Sequence, residues 1–382
     1  MEFYRESVDS EKYIIATYYV EATTSLADAA WNIAIGQSVG NPNVRNQWET
    51  EELFERNSCV IIGDGDKLAN FKEGIVKIAF PVVNTDWEND GISHLLCQLM
   101  GGQMDIDLIT KCQLLNVKYP KCVEDKFLGP QNGLSGMREF TGQFNKPLFG
   151  SIIKPKIGLS VDGLLDMTKQ LVDGGVDFIK EDEIMSNPSF CSLEDRVGII
   201  SDYINNCGRN VVYCFCINAD PHAILDRVSF VHENGGNGVH LNVWCGLGAY
   251  NSVRRMDLPG LFIHFQKSGD KVFTEPTHKY HIDWNVVCDM AGMIGVDTIH
   301  SGMWGGYKSD NEDDLRANMK ILTDRNVVPA LACGMKAELI NPIETRFGSD
   351  WMANVGGAIH GDPDGTIAGA SKIREAIEHD RK

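Results

Sequence analysis

Four ionisable residues, Lys180, Glu181, Asp182 and Glu183, close the apolar run "GGVDFIKEDEI" at 174–184. Side chains alternate along a strand, so Lys180 and Asp182 face the same way, and Glu183 can join them once the chain turns. Two converging carboxylates make a hard oxygen site suited to Mg²⁺, which needs a further ligand. A neutral lysine that adds CO2 becomes a carbamate, an oxygen ligand in its own right. The plain alternative is a solvated charge cluster in which the lysine pairs an acid.

Other reactive types sit at comparable places. "KPK" puts Lys154 and Lys156 on one face around Pro155. Neighbouring cations depress each other's pKa, which suits a proton-transfer base or an enolate stabiliser; as surface lysines they would merely snorkel. His264 in "IHF" and His300 in "IHSG" are expected to close two further apolar runs. A single histidine in such a run is more often a hydrogen-bonded core residue, but two at matching ends favour a site. Gly334, in "ACG", and Gly356 and Gly357, in "GGAIHG", could offer backbone amides to an anion, or simply make tight turns.

Positioning these residues requires a repeated scaffold. From about residue 147, eight short apolar runs occur, at 147–155, 176–182, 211–218, 238–244, 261–266, 297–302, 327–334 and 353–361. Helix-like segments lie at 161–175, 220–236 and 311–325, several opening on Asp or Asn and closing near Gly. That rhythm predicts a (β/α)8 TIM barrel, whose active site lies at the C-terminal ends of its strands. A doubly wound sheet would more often carry a Gly-rich fingerprint after its first strand, and "KPKIGLS" is no such loop. Residues 1–132 read as a smaller α+β domain, with strands in "KYIIATYYVEA", "SCVIIGD" and "GIVKIAFPVVN" and a helix in "SLADAAWNIAIG". The barrel is expected over 133–382.

Composition narrows the partners. With 53 acidic and 35 basic residues, the net charge of −18 repels phosphodiester backbones and anionic lipid, so neither nucleic acid nor a membrane is expected. No apolar stretch has membrane-spanning length and the start does not resemble a signal peptide, which predicts a soluble, cytoplasmic protein. The 11 cysteines lack paired C-x-x-C units and read as reduced thiols, mostly in apolar runs.

Taken in order, "GSIIKPKIGLS", "GGVDFIKEDE", "IHSG" and "GGAIHG" resemble the ribulose bisphosphate carboxylase (RuBisCO) large-subunit superfamily. The resemblance implies that Lys180 is carbamylated by CO2 and binds Mg²⁺ with Asp182 and Glu183. It further implies that Lys154 is a base, that Lys156 steadies the enediolate, that His264 and His300 surround the substrate, and that Gly334, Gly356 and Gly357 hold phosphate. It also implies a homodimer and a phosphorylated small-molecule substrate.

Departures from the family pattern are equally informative. Phe265 stands where an arginine after the fifth-strand histidine is expected, Tyr307 where the mobile loop should present a lysine, and Ala332 where a serine is expected. In the amino-terminal domain Gly36 replaces a glutamate, and Gly102 or Gln103 an asparagine. The metal and enolisation half is kept while the CO2-fixing half is eroded, so the chain resembles a RuBisCO-like protein of form IV. The expected chemistry is Mg²⁺-dependent enolisation of a phosphorylated ketose or keto acid leading to decarboxylation or isomerisation, with losing one phosphate grip pointing to a monophosphate. The rivals are the 2,3-diketo-5-methylthiopentyl-1-phosphate enolase of methionine salvage and a non-catalytic regulator that binds a phosphometabolite.

Overall fold

A computed structural model describes residues 3–41 and 46–378. The chain divides into two compact units, one comprising Met1–Phe127 with Asp270–Met290 and the other Leu128–Gly269 with Ala291–Lys382. In chain order the strands are β1 (Tyr4–Arg5), β2 (Tyr13–Ala22), β3 (Val60–Ile62), β4 (Glu73–Pro81), β5 (Ile109–Lys118), β6 (Leu148–Ile152) and β7 (Phe178–Lys180). They continue with β8 (Val212–Cys216), β9 (Gly238–Asn242), β10 (Phe262–Gln266), β11 (Tyr280–Ile282), β12 (Thr298–Gly302), β13 (Val328–Leu331) and β14 (Met352–Val355).

The first unit is a mixed sheet in the order β1-β3-β4-β2-β5-β11. Its β2 alternates strictly, burying Ile14, Ala16, Tyr18, Val20 and Ala22. The helix Leu26–Gly36, capped by Ser25 accepting from the Asp28 amide at 3.1 Å, packs on β2 and β4 and buries Leu26, Ala29, Ala30, Ile33, Ala34 and Ile35. Three of its strands and this helix lie where the sequence puts them. β1, β5 and β11 were not foreseen, and β11 comes from a segment that follows a barrel strand in sequence.

The second unit is a closed parallel barrel in the order β10-β12-β13-β14-β6-β7-β8-β9, so all eight expected runs are its strands. They are buried almost throughout because helices cover the outside while side chains fill the inside. Phe178, Val212, Phe262, Val328 and Met352 close the barrel floor as one apolar cluster. The three expected helices are Val161–Asp173, Pro221–Glu233 and Glu312–Asp324; Ser160 and Asn311 cap the first and third by accepting amide hydrogen bonds. Among the described residues no cysteine is in a disulfide, and no helix is long and apolar enough to cross a membrane.

Candidate active site

A cavity of about 580 Å³ opens where the barrel strands end. Eight of the ten residues singled out from the sequence line it: Lys154, Lys156, Asp182, Glu183, His300, Gly334, Gly356 and Gly357. Lys180 lies immediately behind them, fully buried, with its Nζ 3.5 Å from Glu183 Oε2. His264 is the exception discussed below.

The acidic run divides by role. Lys154 Nζ donates to Asp182 Oδ2 at 2.6 Å, and Glu183 Oε1 accepts from Ser268 Oγ at 2.6 Å. Glu181 points the other way, as alternation requires, into a buried pocket behind the strand. There Arg196 grips both its oxygens at 2.7 and 2.9 Å, and the Cys216 amide donates to Oε2 at 2.8 Å. Such a pair, satisfied on every side, anchors the backbone that carries Lys180 and Asp182. Arg196 escaped the sequence reading because it sits on the helix Leu193–Asn206, whose packing brings it back behind β7.

Among the described residues Lys180 Nζ has no hydrogen-bond partner beyond its ion-pair contact with Glu183; burial pushes its pKa down despite Glu183 and Asp182. That favours the neutral amine, the form able to add CO2. Burial works to raise the Glu183 carboxyl, but Lys180 and the Ser268 hydroxyl bring it down to about 2, a depression that relaxes when the amine is neutral. Among the described residues no group of three or more His, Cys, Asp or Glu side chains is gathered for a metal. Asp182 and Glu183 would supply two oxygen ligands, and a carbamate on the buried Lys180 amine would be the third that a hard cation requires. The donor set therefore fits Mg²⁺ with a modified Lys180.

The register of β10 corrects two expectations. Phe262, His264 and Gln266 point inward in succession, Phe262 in the floor cluster and Gln266 at the cavity. His264 thus sits in the middle of the strand and not at its end, one layer below the cavity, with its ring 6.2 Å from His240 and its Nδ1 2.6 Å from Thr298 Oγ1. It lines the barrel interior and not the cavity. Phe265 faces outward and stacks on Tyr250 at 4.5 Å, so it was never a candidate to hold phosphate. The residue that follows the mouth position Gln266 is Lys267, a cation. The loss of a charged grip inferred from Phe265, and the monophosphate inferred from that loss, therefore lack a basis.

The imidazole of His300 is pushed down to about 3 by burial, then by Lys180 and Lys267, with Lys308 also contributing. It is neutral across the physiological range, a hydrogen-bond donor or acceptor and not a cation. Lys154, Lys156 and Lys336 line the cavity, and Lys267 and Lys308 lie within electrostatic reach of it. Against them stand Asp182 and Glu183, which makes this a local reversal of the chain's overall acidity. Asn354, buried at the cavity with neither side-chain polar atom partnered, was not singled out from the sequence, although its place in the last strand before Gly356 was available as a signal.

The loop at 303–310 rests on the turn after β13. A Cβ on Gly334, whose φ is +101°, would fall 2.7 Å from the Tyr307 amide, and one on Gly306 would fall 2.3 Å from the Cys333 carbonyl. Glycine at these two positions lets the backbones touch. Tyr307 lines the cavity while remaining 85% exposed. In the other unit, Gly36 abuts Gln103, where a Cβ would lie 2.2 Å from Gln103 Cγ, so the two departed motifs of the amino-terminal part are neighbours there.

Residues 133–381 match the model of the ribulose bisphosphate carboxylase large chain, catalytic domain. The chain belongs to the RuBisCO large-chain family. It is 31% identical to the ribulose bisphosphate carboxylase of Pyrococcus furiosus, over 99% of this chain and 92% of that protein. It is also 29% identical to the 3-oxo-isoapionate-4-phosphate decarboxylase of Rhizobium rhizogenes, over 96% of this chain and 92% of that protein. Among solved structures, the octameric RuBisCO of Pyrococcus horikoshii superposes with a TM-score of 0.89 at 27% identity, covering 98% of this chain and 90% of that one. Carboxylases and a decarboxylase are thus both relatives, and the family alone does not choose between them.

Proposed function

We propose that this RuBisCO-family protein is a Mg²⁺-dependent, enolising enzyme that decarboxylates a phosphorylated keto acid, with isomerisation of a phosphorylated ketose as the related outcome. The observation that carries the reading is the 2.6 Å contact between Lys154 Nζ and Asp182 Oδ2 in a cavity shared with Glu183 and backed by Lys180. A proton carrier and the acids of a cation site converge there on one small volume.

A bound Mg²⁺ would supply Lewis acidity at the substrate carbonyl and so lower the cost of placing negative charge on its oxygen. Lys180 as carbamate, Asp182 and Glu183 would hold it. In a 3-oxo acid the bond to the carboxylate breaks, its electron pair moves into the enolate, and CO2 leaves. Lys154, as the ammonium, then returns a proton to the carbon. Lys156 balances the negative charge that develops, neutral His300 can donate a hydrogen bond to it, and Lys267 with Lys308 attracts the second anionic end of the substrate. A phosphate and a carboxylate are the two ends this arrangement suits.

CO2 fixation is not the proposed activity, because exposed Tyr307 stands where the resemblance expects the loop lysine. The salvage-enolase reading is disfavoured by Lys156 at the cavity and by Gly102 in the amino-terminal unit, where that group carries a lysine base. The P. horikoshii relative is octameric; we take a homodimer in the cytoplasm as the minimal working form here. Release of ¹³CO2 from carboxyl-labelled branched 3-oxo acid phosphates, dependent on Mg²⁺ and bicarbonate, is the expected result. Carboxylation of ribulose bisphosphate without such release would overturn the proposal.

A further inference from the structure

We propose that Ser268 is a positioning residue for Glu183, fixing one carboxylate oxygen so that the other is turned to the cation site; this rests on the Mg²⁺ reading above. Ser268 Oγ lies 2.6 Å from Glu183 Oε1 and 2.6 Å from Gln266 Nε2. Neither contact follows from the metal-binding motif itself, since Ser268 lies beyond β10, in the loop that follows it.

The direction of the hydrogen bonds is forced. An ionised carboxylate can only accept, so the single Ser268 proton goes to Glu183. Ser268 Oγ is then an acceptor toward Gln266, whose amide must present its N–H₂ group. Gln266 is itself buried in the barrel mouth, so the donor that sets this direction is held firmly. The Ser268 carbonyl accepts from Asn242 Nδ2 at 3.0 Å, and the Glu183 carbonyl accepts from Asn218 Nδ2 at 2.8 Å. Side chains at or just beyond the ends of three successive barrel strands, β8, β9 and β10, therefore hold Glu183 at its carbonyl and its carboxylate, with Asn242 acting through Ser268. The remaining oxygen, Oε2, is the one 3.5 Å from Lys180 Nζ. A carboxylate anchored through one oxygen presents the other in a fixed orientation, which is how partners of metal ligands raise affinity.

The test is Mn²⁺ binding, with Mn²⁺ standing in for Mg²⁺, followed by the EPR signal of the free ion on the full chain with bicarbonate present and no substrate. Ser268→Ala is expected to weaken Mn²⁺ affinity by about 10- to 100-fold. Ser268→Thr, which keeps the hydroxyl, is expected to stay within about 3-fold of the parent, and Ser268→Cys, a weak donor, to fall between. Thermal unfolding of each variant separates this graded effect from a loss of fold, and the Thr and Cys variants keep the test decisive where Ala folds poorly. A flat series, with folded Ala, Cys and Thr variants all binding like the parent, overturns the positioning role while leaving the metal site standing. Failure of the parent itself to take up Mn²⁺ overturns the metal site and the positioning role together.

Discussion

A buried amine that keeps its proton cannot react with CO2, so Lys180 is the residue on which the proposed metal chemistry turns. Its burial among β6, β7 and β8 supplies the push toward the neutral form, and Glu183 is near enough to help bind what forms. Lys180→Ala is expected to lower Mg²⁺-dependent turnover by at least about 10³-fold and to erase its bicarbonate dependence, both read from steady-state rates. Full activity in that variant would contradict the carbamate. Alternation along one strand made Lys180 and Asp182 legible as a pair from the sequence. The partner of Glu181 was not legible, because Arg196 reaches it through helix packing that local spacing does not encode.

At the scale of the element, β10 shows how a strand can be located correctly and its register misread. "LFIHFQ" is buried on both faces of the barrel wall, so it lacks the polar alternation that marks inside from outside. By sequence alone the visible histidine marks the strand end, whereas the end is Gln266. The register makes opposite predictions for two substitutions. Phe265→Arg buries an unpaired cation against Tyr250 and is expected to cost about 3–5 kcal/mol in urea unfolding, without improving affinity for bisphosphates. Lys267→Ala is expected to weaken binding of dianionic substrates or inhibitors by about 10-fold or more, read by calorimetry. Tighter bisphosphate binding by Phe265→Arg would contradict this register. Several other strands were legible because the apolar run leads into a helix with a clear start, as β6 does at Ser160 and β12 at Asn311, whereas β5 and β11 lack a bounding signal of that kind.

For the whole molecule, three imidazoles, His240, His264 and His300, are enclosed in the barrel interior or at its mouth, and burial holds each below the ordinary histidine value. In the unfolded chain they take up protons below about pH 6.5. The unfolded state then binds more protons than the folded one, so stability falls as pH drops below that value. Asp297, raised by burial to about 6, has the opposite sign, since its folded form takes up a proton first; its stabilising share is full below its unfolded pKa and lost as pH rises through about 6. Between pH 5 and 6 Asp297 offsets part of the histidine effect, so these groups together make the protein less stable on acidification. Urea unfolding at pH 5, 6 and 7.5 measures this slope, and His240→Phe is expected to make it shallower. The barrel was legible at this scale because its repeat extends over most of the chain. The attachment of residues 270–290 to the other unit was not, because it depends on a single short strand, β11, pairing with β5.

Proton transfer at the carbon beside a substrate carbonyl is the step that decarboxylation and isomerisation share. The decisive measurement is NMR-detected incorporation of solvent deuterium at that carbon, in the decarboxylated product of branched 3-oxo acid phosphates or in keto-sugar phosphates, with the parent protein and with Lys154→Ala. Incorporation is expected to require both Mg²⁺ and bicarbonate and to fall by at least about 10²-fold in the variant. Tight binding of one of these compounds with no deuterium in substrate or product, or incorporation that persists unchanged without Lys154, would contradict the enolising site.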